Sequence, residues 1–220
     1  MDRFESINAI CAYENFMSLS ADDSAMEGVG EGLSSAVEAL KRVVSNIGRA
    51  IVTAIKKFIE FIRKKSGKDG RTTVNTAKYK AWTDMVSEAG FIIDTISSYN
   101  VRDNDSSNDG SDAIKEVVAA FKRLKESYDK IDRTSLDPAT MKVDVMTVDR
   151  TTEKVAERAN NLSEILSEKF KDKIMEGADG EDDIRQRKLY VAKMRRTVTY
   201  AMQASTLLTK ATNIMILGVG

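Results

Sequence analysis

Residues 33–65 read LSSAVEALKRVVSNIGRAIVTAIKKFIEFIRKK, and this stretch decides the fold class. Leu33, Val37, Leu40, Val44, Ile47, Ile51, Ala54, Phe58 and Phe61 follow one another at alternating steps of four and three. That is the period of one face of an α-helix, sustained over about four heptads. Val43, Ile55, Ile59 and Ile62 widen the apolar stripe. Gly48 is a weak point, worth about 1 kcal/mol against Ala in a helix interior. The last turn, Arg63-Lys64-Lys65, suits the negative end of the helix dipole, and Ser66-Gly67 is a natural stop. The other face is cationic. Lys41, Arg42, Arg49, Lys56, Lys57, Arg63, Lys64 and Lys65 stand against Glu38 and Glu60, a balance of +6 over residues 33–66.

Upstream, residues 1–32 carry seven carboxylates against Arg3, a balance of −6. Ser18 to Gly32 is small, polar and glycine-containing, and reads as an acidic leader running into a hinge. Downstream, residues 67–73 read as a polar connector. A second helix is predicted over about 75–99, on Trp82, Met85, Ala89, Ile92, Ile96 and Tyr99. A third is predicted to about 131, capped by Ser111 or Asp112, on Ile114, Val117, Phe121, Leu124, Tyr128 and Ile131. Met141 to Val145 alternates apolar and polar residues and predicts a short extended piece. A fourth helix is expected over about 149–175 (Val148, Val155, Ala159, Leu162, Leu166, Phe170, Ile174). A fifth is expected from Glu181 to about 213 (Val191, Met194, Val198, Met202, Leu208). No stretch repeats another closely enough in sequence to be an internal repeat.

The expectation is therefore an all-α fold: an elongated bundle of four to five amphipathic helices led by a long basic one. Its divisions are a leader and hinge over 1–32, a basic helix over 33–66, and a bundle over 67–220.

Composition agrees with this and removes several chemistries. The chain has 220 residues, with 34 Lys+Arg, 34 Asp+Glu, no His, one Cys and one Pro. Without His there is no His-ligated metal and no Ser–His or Cys–His nucleophile. Cys11, as the single Cys, forms no internal disulfide. No catalytic residues, cofactor, resident metal or small-molecule substrate are expected, and the protein reads as no enzyme. The longest uncharged run, Thr197 to Thr209, is 13 residues and falls short of a membrane span of roughly 20. Nor does the N-terminus have the form of a secretory signal.

One loop invites a metal reading. Asp105, Ser107, Asp109, Gly110 and Glu116 occupy positions 1, 3, 5, 6 and 12 of an EF-hand calcium loop. Position 8, however, is Asp112, where that family has an aliphatic residue, and a second loop is missing. The stretch reads as a solvated connector.

The first 65 residues have a further feature. An acidic leader containing Ala25-Met26-Glu27, a glycine hinge and a basic helix rich in Lys, Ile and Phe resemble virion structural and internal head proteins of large tailed bacteriophages. In that group a prohead protease removes N-terminal propeptides at sites ending in Glu, with a small or aliphatic residue two positions earlier. Ala12-Tyr13-Glu14, Ala36-Val37-Glu38 and Leu162-Ser163-Glu164 fit the same short pattern. Ala25, Met26 and Glu27 alone lie in a stretch expected to be linker, where a protease takes the backbone in extended form. The resemblance implies a location in the capsid interior after synthesis in the host cytoplasm. It also implies contact with other virion proteins, with a second copy of the chain, or with DNA.

The basic helix leaves three uses open. Its cations can neutralise phosphates without reading sequence. Its apolar face can lie on a membrane surface. Its regular seam can pack in a coiled-coil scaffold or adaptor.

Overall fold

A computed structural model describes residues 29–98, 111–133, 139–170 and 181–217. Residues 1–28, including Ala25-Met26-Glu27, and the Asp/Ser loop from Asp105 to Gly110 lie outside that set. Among the described residues there are five helices and two short strands. They run in the order α1 (Val29–Lys65), β1 (Arg71–Asn75), α2 (Thr76–Ser98), α3 (Ser111–Arg133), β2 (Thr140–Asp144), α4 (Val145–Phe170) and α5 (Glu181–Leu217). The fold is an all-α bundle with a small antiparallel ribbon.

The seam of α1 is buried inside the chain. Val37, Leu40, Val44, Ile47, Ile51, Ala54, Phe58, Phe61 and Ile62 all lie in the core, and α1 packs along α4 and α5. The boundary expected at residue 66 therefore runs through one continuous core. Phe58 near the end of α1 packs on Trp82 of α2 in a tilted contact, ring centroids 4.2 Å apart, and stacks on Tyr79 at 6.1 Å.

Residues 67–73, expected to be a connector, contain a strand instead. Arg71 to Asn75 pairs antiparallel with Thr140 to Asp144, Thr73 opposite Lys142. Val74 points inward, as a strand's alternation requires, but so does a polar residue, Thr72. The Thr72 hydroxyl donates to the Ile62 carbonyl at 2.9 Å, and that of Ser66 donates to the same oxygen at 2.7 Å. Ile62 belongs to the last turn of α1, whose carbonyls have no partner within the helix. The strand thus closes the helix end, and Gly70 turns the chain between them at φ +71°.

Each strand leads straight into a helix through a capping side chain. Asn75 Oδ1 accepts from the Lys78 amide at 2.9 Å, and Asp144 Oδ1 from the Thr147 amide at 2.8 Å. This cap is why α4 begins at Val145 and not near 149.

These matched caps belong to a larger correspondence at a constant offset of 69 residues. β1 and β2 coincide under that shift, as do the first residues of α2 and α4. So do the buried positions Gly48 and Val117, Ile51 and Ala120, Ile55 and Leu124, Phe58 and Ser127, and Ile62 and Ile131. Beyond the strands the pairs continue with Val74 and Val143, Tyr79 and Val148, Gly90 and Ala159, and Ile93 and Leu162. Packing follows the same rule where α1 lies on α4 and α3 on α2, and where α5 meets both α1 and α3; its contact with α2 has no counterpart of like extent on α4. The repeat missing from the sequence is present as helix–strand–helix.

Candidate functional site: a cationic stripe on the first helix

Because α1 buries one side, its polar residues are forced to the other. Arg42, Arg49, Lys56 and Arg63 are all exposed and stand seven residues apart. Seven residues of helix rise about 10.5 Å and bring the side chain almost back to the same azimuth, so the four form a line of about 30 Å. Lys64 and Lys65 extend it at the C-terminal end, both exposed.

Among the described residues, none of these six cations has a carboxylate within 4 Å. The Arg49 guanidinium donates to Ser45 Oγ at 3.1 Å, which orients it without neutralising it. The other two cations expected on this face behave differently. Lys41 is paired with Glu38 at 2.8 Å, and Lys57 is half-buried with a partner of its own.

The positive surface continues past the helix end through Lys68 and Arg71, both exposed. Both fall in the stretch whose composition reads as a connector, outside the basic helix. The same corner holds two carboxylates. Asp69 pairs with Lys142 at 2.8 Å, and that hydrogen bond, helped by the Arg71 amide, holds its carboxyl below the usual range. Asp144 is likewise held low, chiefly by the Thr147 amide it caps, and faces Arg71 across the ribbon. Both stay charged, so Lys142 is neutralised and Arg71 partly so.

The 69-residue correspondence supplies an internal control for this surface. Residues 42–64 of α1 match 111–133 of α3, which packs in the equivalent manner. Each segment has six Lys and Arg, but the α1 segment has one carboxylate (Glu60) and the α3 segment has five. The counterparts of Arg42, Arg49, Lys56 and Arg63 are Ser111, Val118, Lys125 and Asp132. On α2, Glu88 also takes Arg123 of α3 in a two-pronged ion pair at 2.6 and 2.8 Å. The fold thus accommodates a charge-balanced helix in this position, and packing does not require the cationic excess of α1.

The apolar face that a lipid-surface helix would present is in the core, with Leu40 and Phe58 fully buried. No described helix is long and apolar enough to cross a membrane. Among the described residues, no group of three or more Cys, Asp or Glu side chains is placed to hold a metal ion. Glu116, the one ligand of the EF-hand pattern that is described, is an exposed residue of α3. Comparison with protein-family models, curated proteins and solved structures finds no match to this chain.

Proposed function

We propose that this is a non-enzymatic, structural DNA-contacting protein that lies against the phosphate backbone through the outward stripe of α1. The observation that carries the reading is the line Arg42, Arg49, Lys56 and Arg63: exposed, without a carboxylate partner among the described residues, and not repeated on the equivalent helix α3. Exposed guanidinium and ammonium groups in a row suit a polyanion whose charges are also in a row. Such contacts fix position without reading bases. The phage-head setting implied by the resemblance gives the DNA a source, packaged inside the shell. Cleavage after Glu27 would remove six carboxylates and Arg3, changing the net charge from zero to +5.

Two measurements test this. The first is anisotropy of a labelled 30-base-pair duplex with the full-length protein between about 50 and 200 mM salt. With four to six phosphates neutralised, log K is expected to fall with log salt at a slope of about −4 to −5, whatever the base sequence. No binding at low salt, or a slope near −1, overturns the reading. The second is the intact mass of the protein from purified particles, where the expected first residue is Gly28. A chain still starting at Met1 or Asp2 removes the propeptide.

A further inference from the structure

The 69-residue correspondence reaches further than the resemblance of two strands. We infer that the fold is an intramolecular pairing of two copies of one helix–strand–helix unit. The first copy is α1–β1–α2 and the second is α3–β2–α4, each the folding partner of the other.

Three observations carry this. The first is register: one shift relates the strands, both capping residues, the starts of α2 and α4 and the nine buried pairs named above, with no insertion between them. The second is where the packing lies. Side-by-side helix packing runs between units: α1 on α4, α3 on α2, and α2 on α4, with β1 paired to β2. Within the first unit, α1 and α2 meet through the rings of Phe58, Tyr79 and Trp82 and otherwise diverge from the strand. The ribbon's antiparallel register, centred on Thr73 opposite Lys142, places a local two-fold axis between the copies.

The third is how the symmetry breaks. α5 packs on α2, where the Trp82 indole donates to Thr212, and Ala81, Trp82, Met85, Ala89 and Ile92 of α2 are all buried. Their counterparts on α4 are Arg150, Thr151, Lys154, Arg158 and Asn161, all exposed. The copies differ on this face of α2 and at two ion pairs between them, Arg123 with Glu88 and Arg158 with Asp94, whose counterparts are Ala54 and Glu157, and Ala89 and Ser163. They agree in the strands, their caps and the buried pairs of the shared register.

The consequence is that the connector at 99–110 is dispensable once the protein is folded, although neither half is stable alone. The test is the full-length chain carrying a specific protease site inserted in that connector and cut while folded. The two pieces are expected to co-elute as one species with unchanged helicity at 10 µM. Their melting temperature should rise with concentration, as for a dimer. Pieces that separate, whether or not one keeps a cooperative melt, overturn the inference.

A strand graft tests the equivalence itself. Writing the β1 sequence onto β2 in register (Thr140→Arg, Met141→Thr, Lys142→Thr, Asp144→Asn) should leave the chain folded, within several degrees of its melting temperature. The same five residues moved one position along (Met141→Arg, Lys142→Thr, Val143→Thr, Asp144→Val, Val145→Asn) should unfold the ribbon, because a one-residue slip inverts inside and outside. Equal tolerance of both grafts, or equal loss, contradicts the equivalence.

Discussion

Trp82→Ala is expected to cost about 3–5 kcal/mol, a large share of the roughly 5–15 kcal/mol that holds a domain of this kind together. Trp82 is fully buried and joins three helices. It sits on α2, its ring meets Phe58 of α1 at 4.2 Å, and its indole N–H donates to Thr212 Oγ1 of α5 at 2.9 Å. The Thr212 hydroxyl in turn donates to the Leu208 carbonyl at 2.9 Å, so its hydrogen is committed and its lone pair is what the indole uses. Truncation removes the largest side chain in the core and strips a buried oxygen of its donor. Trp82→Phe separates the two losses: it keeps most of the volume and leaves the oxygen's lone pair without its donor, for about 1–3 kcal/mol. Urea unfolding followed by circular dichroism measures both. A shift for Trp82→Ala no larger than that for Trp82→Phe would show that the ring cluster is not where the helices are joined.

Gly48→Ala should destabilise the protein by about 1–3 kcal/mol, opposite in sign to what helix propensity alone predicts. In an isolated helix the change gains about 1 kcal/mol. Here a Cβ on Gly48 would lie 2.2 Å from the Ala159 carbonyl oxygen, and that oxygen belongs to backbone in the middle of α4. No rotamer relieves the contact. α1 and α4 must separate along their crossing, and the apolar contacts around it loosen together. Differential scanning calorimetry of Gly48→Ala against the unaltered chain checks the sign. A higher melting temperature would mean that the two helices do not cross this closely.

These two residues also show what could be read in advance. Trp82 stands on a visible seam, and its burial follows from periodicity, as does that of most described seam residues; Ile114, Phe121, Tyr128, Val155 and Met202 are half-buried, and Leu33, Tyr99, Phe170 and Ile174 lie outside the described side chains. Gly48 was legible as a cost and not as a requirement, because its reason is a residue 111 positions away. The ribbon was half legible. Met141-Lys142-Val143-Asp144 alternates openly, whereas in Arg71-Thr72-Thr73-Val74-Asn75 an inward position is filled by a threonine whose hydroxyl is satisfied by the end of α1. A polar residue at a buried site hides a strand from any reading based on hydropathy.

The repeat was hidden for a related reason. Phe58 answers to Ser127 and Tyr79 to Val148, so the copies share burial phase and little identity. The cations of α1 could be counted from the first line of sequence. What could not be seen was which of them remain without a counter-charge, or that an equivalent helix does without the excess. Lys41 leaves the stripe for the first reason, Lys57 because it is half-buried with a partner of its own, and the stripe stands out from packing for the second.

The most direct test of the stripe compares two variants of equal charge change. One is Arg42→Gln, Arg49→Gln, Lys56→Gln and Arg63→Gln on α1. The other is Lys115→Gln, Lys122→Gln, Lys125→Gln and Lys130→Gln on α3, all exposed residues of the equivalent helix. In duplex binding at 100 mM salt, the α1 variant is expected to lose about 100-fold or more in affinity. Its salt slope should fall in magnitude by about 3.6, one increment of about 0.9 for each lost phosphate contact. The α3 variant should keep the affinity and slope of the unaltered protein to within a few-fold. Equal weakening of both variants, or undiminished binding by the α1 variant, would contradict the assignment of the cationic stripe as the binding surface.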